Sequence, residues 1–356
     1  MNKLKSINKT TRTNFLTYAF VIAAFVILQV LSTGGKLSPT LQGQLVPICA
    51  YVVMALSLNL TVGVLGELSL GHAGFMSVGA FSGAVAASAL QDVIPSGGLN
   101  LALAMVIGAI FAGIVGVIIG VPVLRLNGDY LAIVTLAFGQ IIKSVIENLY
   151  VGIDGSGLHF GFLKPLTSLG EGGRMILNGP MGIPNIAKLS TFLAGFLLIM
   201  VTLAVIFNLV NSRSGRAIMA LRDNRIAAES VGINVTKYKM MAFVTSAALA
   251  GAAGALFSLG QNTIVASKFD FNTSILILVY VVLGGQGKMW GSIISAAALT
   301  ILPEALRQFA DYRMLVYAIV LILVMLATNN PTLKGLAERF LRRGEDKAEA
   351  KGGAEK

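Results

Sequence analysis

The sequence predicts an all-α, polytopic membrane protein with about ten transmembrane helices. Three observations carry that reading. Of 356 residues, 55% are hydrophobic and only 12% charged, and mean hydropathy is +0.80. An average soluble domain is about 25% charged, and burial on folding saturates near about 75% for some 300 residues, so lipid must be the solvent for much of the chain. Apolar runs near the roughly 17–25 residues that cross a bilayer recur along most of its length. The net charge of +11 is divided unevenly between alternate connecting segments, as orientation in a membrane demands. Together these exclude a soluble enzyme, a nucleic-acid binder and a disordered regulator.

The candidate spans, in order, begin with 14–33. Lys3, Lys5, Lys9 and Arg12 precede it, which is also how a secretory signal begins. The apolar run Phe15–Leu31 is long for such a signal and no small-residue cleavage site follows, so it reads as a retained helix that starts inside. Spans 45–65 and 72–90 flank a glycine-rich break. Spans 100–124 and 129–149 are joined by a short turn holding Arg125. An outside loop over 150–189, rich in Gly and Pro, leads to the span 190–210. An inside loop over 211–239 leads to 240–260. Runs 274–287 and 289–303 are short, with Gly284, Gly285 and Gly287 between them; they read as one broken hairpin or as two tilted helices, and are counted as two. The last span is 314–328. Residues 1–13 are then a cytoplasmic N-terminus, 14–330 a membrane domain, and 331–356 a cytoplasmic tail whose charged composition predicts disorder.

Ten crossings place both termini inside. On that assignment 19 of the 27 Lys and Arg residues lie inside and 8 outside, which obeys the positive-inside rule. An odd number of spans would put either the basic N-terminus or the basic tail outside. Cys49 is the sole cysteine, so no intrachain disulfide forms, and His72 and His159 are too isolated for a structural zinc site. The forty glycines include pairs at small-xxx-small spacing (Gly79 and Gly83, Gly116 and Gly120, Ala250 and Gly254), the pattern that lets helices approach closely in lipid.

The segment from Asn59 to Phe75 differs from the rest. It sets four glycines, Glu67, Ser69 and His72 between two apolar runs. Ionisable groups at membrane depth are costly and face a cavity or a partner. Irregular backbone there must be covered by protein or line water. One reading is a piece of translocation pathway, with Asn59, Glu67, Ser69 and His72 as candidates. The other is an interfacial turn with a solvated Glu67. His72 by itself reads as a packed, hydrogen-bonded histidine. Lys143 stands one helical turn before Glu147 and can pair with it.

In the loop 211–239, two short helices are expected, from about Gly215 to Leu221 and from about Ile226 to Val231, with Gly232 as a C-terminal stop. Small and apolar residues alternate there with charges. The loop is either a basic segment held by anionic lipid or a docking surface that presents short helices to a groove. The chain has no phosphate-binding loop: Gly285-Gln-Gly-Lys288 is followed by Met289 and lacks the upstream glycine spacing. If transport is ATP-driven, another chain must carry the ATPase.

Three segments resemble permeases of branched-chain amino acid ABC importers, the LivM-type subunit. They are Gly66-Glu-Leu-Ser-Leu-Gly-His-Ala-Gly-Phe75, Arg125-Leu-Asn-Gly-Asp-Tyr-Leu-Ala-Ile-Val-Thr-Leu-Ala-Phe-Gly139, and Ser214-Gly-Arg-Ala through Ala227-Ala-Glu-Ser-Val-Gly-Ile233. The resemblance spans about residues 40–330. It implies a ten-helix type II importer permease, a LivH-type second permease as heterodimer partner, two cytosolic ATPase subunits and an extracytoplasmic substrate-binding protein. It implies no cofactor on this chain, with ATP and Mg on the ATPases. Ala227, Ala228 and Gly232 match part of the ATPase-coupling loop of importers, and Arg216, Arg222, Asp223 and Asn224 fall in the same stretch. Ile226 stands where that pattern has Glu, a departure that weakens the case for a charge contact at that position but not for docking as such. Permeases of urea or short-amide importers look much alike. A stand-alone secondary transporter is the other class, and it would need an intramembrane ion site, for which Glu67 is the candidate.

Overall fold

A computed structural model describes residues 9–35, 38–91, 94, 96–126, 129–154, 157–164, 173–306 and the isolated positions 318, 319 and 322. The chain divides into two units, Met1–Thr300 and Ile301–Lys356. The expected span 314–328 and the tail 331–356 fall, apart from those isolated positions, outside the described residues.

Each of the first nine expected spans coincides with a helix. They are α1 (Lys9–Thr33), α2 (Pro39–Asn59), α3 (His72–Leu90), α4 (Gly97–Val123), α5 (Asp129–Glu147), α6 (Phe192–Asn211), α9 (Val235–Ser258), α10 (Phe271–Gly284) and α11 (Met289–Ala305), with α7 (Arg213–Asp223) and α8 (Arg225–Ser230) between the sixth and seventh. Seven of the described helices are long and apolar enough to cross a membrane, the second by way of a continuation through Leu65. The helix α10 has 14 residues, about 21 Å at 1.5 Å per residue, short of a hydrocarbon core of about 30 Å. Residues 274–303 hold two separate helices joined by a glycine turn, an arrangement common to both readings of that stretch. A Cβ at Gly291 would strike the Gly284 carbonyl oxygen, so these glycines let the two helices close against each other.

Sequence sets the starts of these helices through side-chain caps. Ser38 accepts from the Leu41 amide ahead of Pro39, Asn234 from Lys237, and Asp270 from Thr273. The helix α1 starts at Lys9, and its apolar stretch Asn14–Thr33 is the expected span 14–33.

The core is built on α9, which lies against α3 and α4. The small residues anticipated as packing devices are the points of contact. A Cβ at Gly79 would run into the backbone of Gly251, one at Gly254 into the Met76 carbonyl, and one at Gly83 would come 2.5 Å from the Ala255 methyl. Gly116 faces Ala247, and Gly120 faces Met240 and Phe243. Helix–helix association in lipid has no hydrophobic drive of its own and rests on such close backbone approach. In contrast α1 is mostly exposed and touches α6 through stacked Phe25 and Phe196 rings 4.1 Å apart.

Two sets of connecting segments gather at opposite ends of the helices. At one end the expected loop 150–189 contains a three-stranded antiparallel sheet in the order β2-β1-β3, formed by β1 (Leu149–Asp154), β2 (Gly157–Phe162) and β3 (Arg174–Asn178). Gly152, Gly157 and Gly161 lie within these strands. Glycine is depleted in strands, so the segment shows no strand pattern in sequence. The following stretch is stitched to the segment after α9: Ile183 and Ile264 exchange backbone hydrogen bonds, and Ile186 and Leu189 donate to Asn262 and Leu259. At the other end lie residues 66–71, the pair α7–α8, and the turn 285–288. The first set comprises segments expected outside, and the second comprises segments expected inside.

Candidate functional site

The site starts where α2 loses its regular winding. Residues Leu60–Leu65 form a π-turn that Gly66 ends in the left-handed conformation at φ 81°. Such turns are rare and frequent at functional sites. Gly63 is required here: a Cβ on it would strike the Asn59 side chain and the Gly287 amide. Asn59 is fully buried. Its Oδ1 accepts from Gly287 N–H at 2.8 Å, and its Nδ2 donates to Ser292 Oγ at 2.9 Å and to the Lys288 carbonyl at 3.3 Å. This one amide ties the end of α2 to the turn between α10 and α11.

Beyond the π-turn the backbone amides of Gly66 and Glu67 both turn back to the Thr61 carbonyl. The Gly63 carbonyl takes its hydrogen bond instead from Arg222 Nη1, at 2.7 Å. The Arg222 stem lies over Gly66, where a Cβ would come 2.5 Å from Arg222 Cγ. Helix ends leave carbonyls without intrahelical donors; here a side chain from the last turn of α7 supplies one.

Glu67 is neither fully solvated nor alone. It pairs with Lys239 Nζ in the first turns of α9. The Lys239 side chain is 5% exposed and that of Glu67 15%. Removing charges from water to this degree is costly unless they are paired. Ser69 is buried and its hydroxyl has no partner among the described residues, as is true of Thr61.

His72 opens α3. Ser57 donates its hydroxyl proton to the Met54 carbonyl at 2.8 Å, so it accepts from His72 Nε2–H, also at 2.8 Å. The ring stands edge-on to Phe75. This is the packed, hydrogen-bonded histidine the sequence suggested. The same turn is held by α5 and α10: Leu70 N–H donates to Thr135 Oγ1 at 3.0 Å, and Ala73 N–H to Ser274 Oγ at 3.2 Å. A Cβ at Gly71 would collide with the Thr135 carbonyl, and one at Gly74 would come 3.1 Å from Gly139 Cα.

The helix pair α7–α8 is capped twice. Ser212 accepts from Gly215 N–H at 3.1 Å, and Asn224 from Ala227 N–H at 3.0 Å. Gly232, at φ 83°, provides the stop. Leu221, Ala228 and Val235 form a small buried cluster with Ile233 and Tyr238 against it. Ala227, Asp223 and Asn224 are exposed, and Ile226 and Val231 stand 79% and 77% exposed. Arg216 reaches back to the Asn211 carbonyl at 3.4 Å. Lys143 and Glu147 lie 3.9 Å apart on α5, away from this site.

The first of the three segments singled out in sequence thus touches each of the other two. The stretch 66–75 meets 125–139 through Gly71, Gly74, Thr135 and Gly139, and meets 214–233 through Arg222. Sequence reasoning missed Gly63, Gly287, Lys239, Thr135 and Ser274 as members. The lysine sits a helical turn inside α9 rather than in the charged loop where its neighbours placed it.

Seven of the described helices are long and apolar enough to cross a membrane, and the basic helix pair packs against a broken span. The chain belongs to the family described as the permease component of branched-chain amino acid transport systems, whose family model matches residues 41–325. It is similar to the high-affinity branched-chain amino acid transport system permease protein LivM of Salmonella typhimurium, at 35% identity over 286 residues, and to LivM of Escherichia coli, at 35% over 287. Both matches cover 78% of this chain and 66% of the relative, just under two thirds of its length. It is also similar to the ribose import permease protein RbsC of Escherichia coli, at 28% identity over 87% of this chain and 92% of that protein. No solved structure matches.

Proposed function

We propose that this chain is the transmembrane permease subunit of an ATP-driven, binding-protein-dependent importer for leucine, isoleucine and valine. The observation that carries the reading is the convergence of the three segments at one end of the helices, where exposed Ile226 and Val231 of the capped pair stand beside a broken span. That end is cytoplasmic in this reading, with both termini on the same side of a prokaryotic plasma membrane. The loop 211–239 docks two cytosolic ATPase subunits, which hold the ATP and Mg, and its short apolar knobs suit a groove. The sheet end faces an extracytoplasmic binding protein, and a LivH-type second permease completes the pathway.

Asn59, Ser69 and His72 are buried within a single chain. They frame the break, and solute passes along the surface shared with the second permease. The alternative of a stand-alone secondary transporter is weakened by the pairing of Glu67 with Lys239, because its candidate ion site already holds a counter-charge. The substrate assignment rests on the relatives: the LivM proteins match at higher identity than the ribose permeases. In membranes carrying the complete transporter, labelled leucine uptake is expected to be competed by isoleucine and valine and to be untouched by urea or ribose. Competition by urea or ribose with no effect of valine would overturn the substrate assignment.

A further inference from the structure

Given that reading, we infer that Arg222 is a positioning residue that carries motion of the helix pair α7–α8 into the π-turn of α2, rather than a contact for the ATPase. Four observations place it there. Its Nη1 donates to the Gly63 carbonyl at 2.7 Å, the carbonyl left over when Gly66 and Glu67 both bond to Thr61, while its Nε lies 3.6 Å from Asp223 and the side chain stays 46% exposed. Its stem fills the space over Gly66 that a side chain would occupy. It follows directly on Leu221, which is locked in the cluster with Ala228 and Val235, so a push on exposed Ile226 or Val231 moves Arg222 with the cluster. Beside the same carbonyl, Gly287 donates to Asn59, and a Cβ on Gly287 would lie 3.5 Å from the Gly63 oxygen and 3.9 Å from Arg222 Nη1. The π-turn is therefore held by a movable strut and by the α10–α11 turn together.

The clamp makes the winding of 60–65 two-valued. With Arg222 seated, the Gly63 carbonyl is satisfied by a side chain and the π hydrogen bonds stand. With Arg222 withdrawn, that buried carbonyl must recover a backbone donor, since burying it without one is unfavourable. Rewinding toward an α-helical i→i−4 pattern gives it the Glu67 amide. Rewinding also shifts Glu67 and Asn59, and with them α9 and the α10–α11 turn. A discrete rearrangement of this kind transmits force between packed elements better than a gradual bend.

The test uses Arg222→Met, which keeps an apolar stem over Gly66 and removes the donor, and Arg222→Lys, which keeps a donor on a stem of similar length. Both are compared with wild type in the complete transporter reconstituted in proteoliposomes. ATPase co-purification, ATP hydrolysis stimulated by solute-loaded binding protein, and solute taken up per ATP are measured. R222M is expected to retain its ATPases and its stimulated hydrolysis while uptake per ATP falls about tenfold or more, the scale of one charge-assisted hydrogen bond. R222K is expected to recover at least about a third of the wild-type ratio, because the ammonium can reach the carbonyl as a point donor. An R222M protein with unchanged uptake per ATP would overturn the strut. Loss of the ATPases would make Arg222 a docking contact and overturn it as well, and R222K performing no better than R222M would overturn the hydrogen-bond account. If wild-type uptake shows no need of ATP, it is the functional reading that fails, and the variants are not what decided it.

Discussion

The double substitution Ile226→Asp with Val231→Asp is expected to abolish solute uptake and to release the ATPase subunits, with the permease still present in the membrane at its normal level. Both side chains stand more than three-quarters exposed on α8 and just after it. Exchanging them for carboxylates therefore removes little packing within this chain. An apolar knob centred in an interface is another matter. Losing a well-packed anchor costs about 2 kcal/mol or more, and a carboxylate desolvated without a partner adds to that. Two such losses exceed about 4 kcal/mol, or roughly three orders of magnitude in affinity. Co-purification of tagged ATPase with wild-type and variant permease reads this directly. Full recovery of ATPase by the variant would remove α8 from the docking surface. Ala228 would be a poor choice for the same experiment: it is buried against Leu221 and Val235, so a charge there would disrupt the helix pair itself.

The second large effect concerns Glu67 and Lys239. Replacing Lys239 alone by Met leaves a mostly buried carboxylate without its partner, and Glu67→Met leaves a buried ammonium. Removing one member of a buried pair costs about 3–5 kcal/mol, a large share of the about 5–15 kcal/mol by which proteins are stable. Either single variant is expected to accumulate poorly in the membrane and to unfold at lower temperature once purified. The double variant, with two apolar side chains of similar volume, is expected to recover most of that loss, since apolar replacement of a whole buried pair is often neutral. A thermal unfolding series on the four proteins measures the coupling. Single variants as stable as wild type would mean that the pair contributes little.

How far the sequence leads depends on the range of the interaction. The spans are legible because each apolar run must bury its own backbone polar groups within itself, and nine of them coincide with helices. Caps such as Ser212 and Asn224, and the stop at Gly232, act within four residues and could be read locally. The glycine pairs announced close packing but not their partners. Gly79 meets Gly251 and Gly83 meets Ala255, which only the fold decides. The sheet of β1, β2 and β3 is not legible in sequence because its glycines hide the strand pattern. Glu67 left two readings open in sequence, a pathway carboxylate or a solvated turn. The partner that bears on the choice, Lys239, lies 172 residues away. Arg222 was legible as part of a docking stretch, while its hydrogen bond to Gly63 spans 159 residues and was not.

In the proposed function ATP acts through partner subunits at α7–α8, and one measurement addresses that most directly. Proteoliposomes carrying the complete transporter are loaded with ATP, supplied with binding protein and labelled leucine, and treated with ionophores that collapse all ion gradients. Uptake is expected to continue under the ionophores, to stop when ATP is replaced by a non-hydrolysable analogue, and to be absent with the Ile226→Asp, Val231→Asp permease. Uptake that persists without ATP and disappears with the gradients would contradict it.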